Sequence, residues 1–445
     1  MDEQLPPATG DDPAGEPIDG PADSPADEVT PPSVPVLREP RDGVPEPITT
    51  EAQLAAVVDS IRRGRGPVAV DAERASGYRY SQRAYLVQLR RSGVGTVLID
   101  PIALPDLRPL DDALAGVEWI LHAATQDLPC LLELGLAPAA LFDTELAGRL
   151  LGDERVALGT MAERHLGIGL EKGHSAADWS TRPLPYDWLV YAALDVELLV
   201  DLRDVLAAEL ERSGKTEWAR QEFEAVRTAP ASAPRVDPWR RTSGIHRLRN
   251  RRQLAIVRAL WEARDAYAVE RDIAPGRVLP DSAIVEAARV GPGSVRDLLQ
   301  LPIFGGPRQR RRADRWFAAI TEARELPDAD LPPVTGGNGD GIPAPSRWRE
   351  RDPQAAARLT AARAAVAQIA ERHAVLAQNL LASDVVRRLA WAPPAPVDAA
   401  SVAARLAELG ARPWQVELTA DALAAALTVA PTAAPGPAPE RPSEP

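Results

Sequence analysis

The 445-residue chain holds one cysteine, Cys130, so no disulfide can close within it, and no paired cysteines or histidine cluster offer a zinc site. No apolar run approaches the length of a membrane span. The N-terminus is acidic and proline-rich where a secretory leader would be basic and then apolar. Together these absences predict a cytoplasmic protein. Lysine is scarce as well, two residues against 49 arginines. What remains is ample for folding: 45% of the residues are hydrophobic, enough for two or three domains with their own cores.

A net charge of -13 argues at first against a polyanionic partner, but the charge is unevenly spread. Residues 1–46 carry twelve acids against two arginines, with eleven prolines and few large apolar residues, so this stretch is expected to be a disordered tail. From Trp239 to Trp316 seventeen arginines face eight acids. A basic segment of that kind can bind nucleic acid even in a chain that is acidic overall. Arg308, Arg310, Arg311 and Arg312 crowd beside Gly305-Gly306 and are the candidates for that contact.

Turn-rich stretches at 227–238 and 326–346 divide the rest into three folded pieces, 47–226, 239–325 and 346–429, with a second disordered tail at 430–445. In the first piece, strands are predicted at 67–71, 84–91, 95–100 and 118–123. The first three follow too closely for crossover helices and predict an antiparallel meander, so the sheet is mixed and the class α/β. The second and third pieces show helical periodicity only and are expected to be all-α bundles.

Four acids stand out in the first piece. In "VAVDAER", Asp71 and Glu73 lie two apart at the end of an apolar strand and so project from one face, while Arg74 is expected on the other. Asp127 follows an apolar strand near a helix start, and Tyr191 and Asp195 lie four apart on one helix face. Taken singly, each has a plain structural reading as a cap, a loop residue or a surface acid.

The stretches "DAE", "HAATQD" and "YAALD" together resemble the three motifs of the DEDD exonuclease superfamily in its tyrosine variant, most closely the ribonuclease D family. "LIDP" (98–101), "FDT" (142–144) and "EKGHSAADWSTRPLPYDWLVYAALD" (171–195) match in order and spacing. "WEARDAYAVERDIAPGRVLPDSAIVEAA" with "LLQLPIFGG" resembles the HRDC domain that follows the nuclease in that family, and residues 346–429 look like a second, diverged copy.

The resemblance implies a ribonuclease H-like nuclease domain and a 3′-5′ exoribonuclease acting on RNA such as tRNA precursors. Asp71, Glu73, Asp127 and Asp195 would bind two divalent cations, and Tyr191 would hold or deprotonate the attacking water. Carboxylate oxygens without histidine or cysteine select hard ions, Mg²⁺ or Mn²⁺. His122 and Lys172 become candidates for substrate contact, whereas Trp179 and Cys130 read as packing residues. A nucleic-acid-binding protein with weakened catalysis, or a DNA exonuclease, is the alternative.

Overall fold

The computed structural model describes residues 34–171, 173, 176–230, 235–334 and 341–428. The first 33 residues of the expected N-terminal tail, the tail at 430–445 and Lys172 lie outside them. A five-stranded sheet in the order β4-β3-β2-β5-β6 organises the first piece, from β2 (Arg65–Arg74), β3 (Ala84–Ser92), β4 (Gly95–Ile99), β5 (Glu118–Leu121) and β6 (Ala140–Asp143). β2 runs antiparallel to β3, and β3 to β4, as the short connections require. β5 is parallel to both β2 and β6. The predicted mixed α/β sheet is therefore present; β6 was not among the strands predicted from sequence.

Helices cover the sheet because each has an apolar stripe to bury. α1 (Glu51–Arg63) starts at a capping box between Thr50 and Gln53 and buries Leu54, Val58 and Ile61, spaced by a helical turn. After the short α2 (Arg108–Ala113) and α3 (Leu128–Glu133) come α4 (Thr144–Leu151) and α5 (Leu158–Leu166). α6 (Tyr186–Glu197) lies against β2, β3 and β4. α7 (Leu199–Arg212) packs on α4 and α5, and α8 (Thr216–Arg227) covers β6.

The expectation of a disordered tail reaching residue 46 fails for its last part. Val36–Leu37 (β1) pairs in parallel with Gly169–Leu170 (β7). Arg41 contacts Glu197 and Asp201, and Asp42 lies 3.1 Å from Arg90. Composition missed this because the segment is anchored by backbone pairing and ion pairs to groups distant in sequence, not by a core of its own.

The second piece is helical, with α9 (Arg251–Arg271) packed against the helix Ala313–Glu325 around Trp239, Leu260, Phe304 and Trp316. Residues 326–334 double back onto α9, where Arg251 donates to the Leu331 and Pro332 carbonyls. The third piece follows a similar element order: a long helix (Pro353–Arg372), one turn (Ala377–Leu380), a middle helix (Ser383–Trp391) and a closing helix (Pro413–Leu427), with a helix at Ala399–Glu408 where the second piece has single turns at Val295–Leu298 and Pro307–Arg310. Its core is continuous with that of the nuclease sheet. Trp414 stacks on Trp218 of α8 at 4.6 Å between ring centroids and donates from its indole N–H to Glu222.

Candidate active site

β2 is the central strand, and its carboxyl end delivers Asp71 and Glu73. Because β5 runs parallel to it, the chain leaving β5 emerges at the same edge of the sheet and brings Asp127 there. α6, laid across β2, supplies Tyr191 and Asp195 one turn apart. Asp71, Glu73 and Asp195 each bring a carboxylate oxygen within 4.8 Å of the others. With Asp127 and Tyr191 they line one cavity of about 500 Å³.

The electrostatics of this grouping are severe. Burial raises the pKa of Asp71 to about 6 and, reinforced by the charge on Asp71, that of Asp127 to about 8. Glu73 and Asp195 are pushed well above the ordinary carboxylate range by burial and by the same neighbours. Acids held this close and this dry need positive charge among them. The donor set is oxygen throughout. Cys130, the one thiol, is buried and donates to the Asp127 carbonyl at 3.1 Å. A hard divalent cation therefore fits the residues present. Burial and the charge of Asp195 also raise the Tyr191 phenol far above its usual pKa, so it stays protonated and hydrogen-bonds Asp195.

The turn carrying Asp127 is built by a buried residue that sequence reading left without a role. Asp143, at the end of β6, accepts from Glu145 N (2.9 Å) and Leu146 N (3.2 Å) as the N-cap of α4. The same carboxylate accepts from Ala123 N (3.1 Å) and Ala124 N (2.8 Å). Ala123 is held at φ 60°, in the left-handed region that a non-glycine residue rarely occupies. Asp127 N then donates to the Ala124 carbonyl at 3.2 Å. Asp127 stands at the N-cap position of α3, but its side chain makes no capping hydrogen bond and faces the cavity. The cap signature of "FDTE" was visible in the sequence; its reach to the neighbouring loop was not.

A second anchor joins "LIDP" to "RPL". Arg182 donates to both oxygens of buried Asp100, at 2.7 and 2.9 Å, and to the carbonyls of Trp179 and Tyr85. This locks the segment entering α6. Trp179 is fully buried, the packing position expected of it.

His122 lines the cavity, but its Nδ1 is 2.9 Å from the Thr144 hydroxyl, and burial lowers its pKa to about 4, so the ring is neutral. Arg308, Arg310, Arg311 and Arg312 lie on the second piece, and none lines this cavity. Arg312 sits over the Tyr267 ring at 4.4 Å, and Arg310 donates to the Gly305 carbonyl.

Arg74 departs from expectation. Strict alternation puts it on the face opposite Glu73, yet the strand register shifts between Glu73 and Arg74. The extra residue is Tyr85 of β3, opposite the point where β2 ends. Its guanidinium lines the cavity and lies 3.9 Å from the Asp127 carboxylate.

The second piece grips the loop that follows β2. Ala274 N donates to the Tyr78 carbonyl, Ser81 N to Asp272, and Arg277 Nε to the Gly77 carbonyl at 2.7 Å. The Arg277 guanidinium also lies 3.8 Å from the Tyr78 ring centroid. Ser76 and Gly77 of this loop line the cavity, so a helical module distant in sequence helps to form the site.

Comparison with known proteins agrees with this geometry. Residues 45–211 match a 3′-5′ exonuclease family model, 253–320 the HRDC domain, and 341–427 a 3′ to 5′ exonuclease C-terminal domain. Ribonuclease D of Granulibacter bethesdensis is 32% identical over 366 residues, spanning 79% of this chain and 88% of that protein. A solved protein from Bifidobacterium adolescentis superposes with a TM-score of 0.82 at 39% identity, covering 89% of this chain and all of that one. Escherichia coli RNase D, described as an exoribonuclease involved in structured RNA processing, superposes at 0.62 with 27% identity over 86% of this chain and 98% of its own. The chain belongs to the ribonuclease D family of divalent-metal-dependent 3′-5′ exoribonucleases.

Proposed function

We propose that this protein removes 5′-mononucleotides from the 3′ end of RNA in the cytoplasm, with structured transcripts such as tRNA precursors as substrates. The observation that carries the reading is the convergence of Asp71, Glu73, Asp127, Asp195 and Tyr191 on one cavity from a strand, a turn and a helix. Asp71, Glu73, Asp127 and Asp195 would hold two ions, Mg²⁺ or Mn²⁺. Such a pair, when bound, supplies activation of a water and stabilisation of the charge that develops on the leaving oxygen.

The chain's own residues orient the reaction. Water adds to the phosphorus of the last phosphodiester, the bond to the 3′ oxygen of the penultimate nucleotide breaks, and that oxygen leaves as a hydroxyl carrying a proton. The Tyr191 phenol, hydrogen-bonded to Asp195 one turn away, holds and aligns the water through hydrogen bonds. The Asp143 and Asp100–Arg182 anchors set the turn before α3 and the entry to α6, so the reacting groups meet at a fixed spacing. His122, neutral and tied to Thr144, orients the same turn. The arginines of the second piece would grip the phosphate backbone upstream, a contact that weakens steeply with salt. The third piece fits a second, diverged HRDC-like module, a reading supported by its similar element order.

The test uses purified protein with Mg²⁺ or Mn²⁺ on 5′-labelled single-stranded RNA and DNA and on a tRNA carrying a 3′ extension, beside Asp71→Asn. Stepwise shortening of RNA from the 3′ end, lost in the variant, is expected. Tight salt-sensitive binding without hydrolysis would overturn the enzyme reading, and equal or faster loss of DNA would overturn the choice of substrate.

A further inference from the structure

The catalytic cavity must accept a polyanion, yet its walls are dominated by acids. Among the described residues lining it, Arg74 is the one arginine or lysine, and His122 is neutral. Among the described residues no hydrogen bond holds the guanidinium: its 3.9 Å approach to Asp127 is too long for one, and its side chain retains 26% of its exposure. It lines the cavity from the last position of β2, where the β2–β3 pairing is irregular between Glu73 and Arg74.

We propose that Arg74 is a catalytic residue that contacts a non-bridging oxygen of the 3′-terminal phosphodiester. The proposal rests on the two-ion exonuclease reading above. In formal charges, two divalent cations neutralise the four carboxylates, and no charge is left over to meet the linkage being cut. Arg74 supplies one positive charge to offset its one negative charge. A guanidinium suits this task because its planar fork of N–H donors matches phosphate oxygens. Asp127 is the natural resting partner of the same group. With Asp127 holding a cation, Arg74 would be free to meet the substrate. The position directly after the two acids of β2 therefore grips the phosphate of the terminal nucleotide, not its base.

A binding cycle tests this without relying on turnover. Wild type, Arg74→Lys and Arg74→Ala are titrated with oligoribonucleotides whose 3′-terminal linkage is either a phosphodiester or an uncharged methylphosphonate. The penultimate sugar is 2′-deoxy in both for chemical stability, and Ca²⁺ replaces the working cation to prevent cleavage. For wild type the methylphosphonate weakens binding, and the part of that loss owed to Arg74 is about ten- to hundredfold in Kd. In Arg74→Ala that part vanishes, so the two oligonucleotides differ correspondingly less; Arg74→Lys restores some of it. An equal methylphosphonate penalty in wild type and Arg74→Ala refutes the proposal and leaves Arg74 as a local counter-charge for Asp127. Thermal melting checks folding, and Arg74→Met carries the comparison if the alanine variant unfolds. Hydrolysis of the unmodified strand by wild type with Mn²⁺ reports on the exonuclease reading separately.

Discussion

Replacing Asp143 probes how the fold holds Asp127. Asp143 is about 1% exposed, and its two oxygens have unequal duties: Oδ1 accepts from Ala123, Glu145 and Leu146, and Oδ2 from Ala124 alone. In Asp143→Asn the amide oxygen can keep the first set, but the NH₂ then faces the Ala124 N–H, donor against donor. Ala124 is fully buried, so its N–H loses its partner at a cost of about 1 to 3 kcal/mol. In Asp143→Ala both loop N–H groups are stranded and the N-cap of α4 is lost, at a cost of about 3 to 7 kcal/mol in sum. That approaches the whole stability of a typical domain. The milder variant is the informative one. Because Asp127 hangs from the Ala124 carbonyl, a displacement of about 1 Å moves a proposed metal-binding carboxylate, and kcat/KM is expected to fall by at least tenfold. Urea unfolding measures the first quantity, and initial rates on labelled RNA, taken where more than about nine-tenths of the protein is folded, measure the second. An Asp143→Asn protein with wild-type stability would refute the hydrogen-bond accounting. One that is destabilised but retains full activity per folded molecule would refute the link from Asp143 to Asp127.

The acid cluster makes stability depend on pH in a definite direction. Folded pKa values of about 6 for Asp71 and about 8 for Asp127, against an ordinary value of 3.8, mean that the metal-free protein keeps protons that the unfolded chain has released. Stability in EDTA should therefore fall as pH rises from about 4 to 8, and Mn²⁺ should reverse the trend; a melting temperature that is flat or rising in EDTA over that window contradicts it. Arg277→Ala should leave the melting temperature within a few degrees, since an exposed contact contributes at most about 1 kcal/mol, yet raise KM for RNA several-fold by loosening Gly77; unchanged KM would make the contact purely structural. Trp414→Ala removes a buried ring stacked on Trp218 and should cost about 3 to 5 kcal/mol, read by urea unfolding. A cost under about 1 kcal/mol would show that the third piece is not anchored there.

Much of the site was legible because the relevant spacing is local. Two residues on a strand, or four on a helix, share a face whatever the rest of the chain does, so Asp71 with Glu73 and Tyr191 with Asp195 could be paired on paper. The strands of the meander and the helical character of 239–325 and 346–429 follow from the same periodicities. β6 is only four residues long, and its core-facing run is too short to separate from its surroundings by pattern. β1 and β7, two residues each, exist only as partners of one another.

The sequence by itself determined which chemistry is available: oxygen ligands with no cysteine or histidine cluster beside them, a phenol one turn from an acid, and arginines concentrated in the second piece. Only the tertiary structure decided how those groups meet. It placed β5 parallel to β2, so that Asp127 faces Asp71 across one cavity. It gave Asp143 a second duty, because a buried carboxylate can satisfy N–H groups of a neighbouring loop as well as those of its own helix. And it put Arg74 on the cavity lining beside both acids, at a strand end where the β2–β3 pairing slips, a pairing that cannot be read from the seven residues of "VAVDAER" alone.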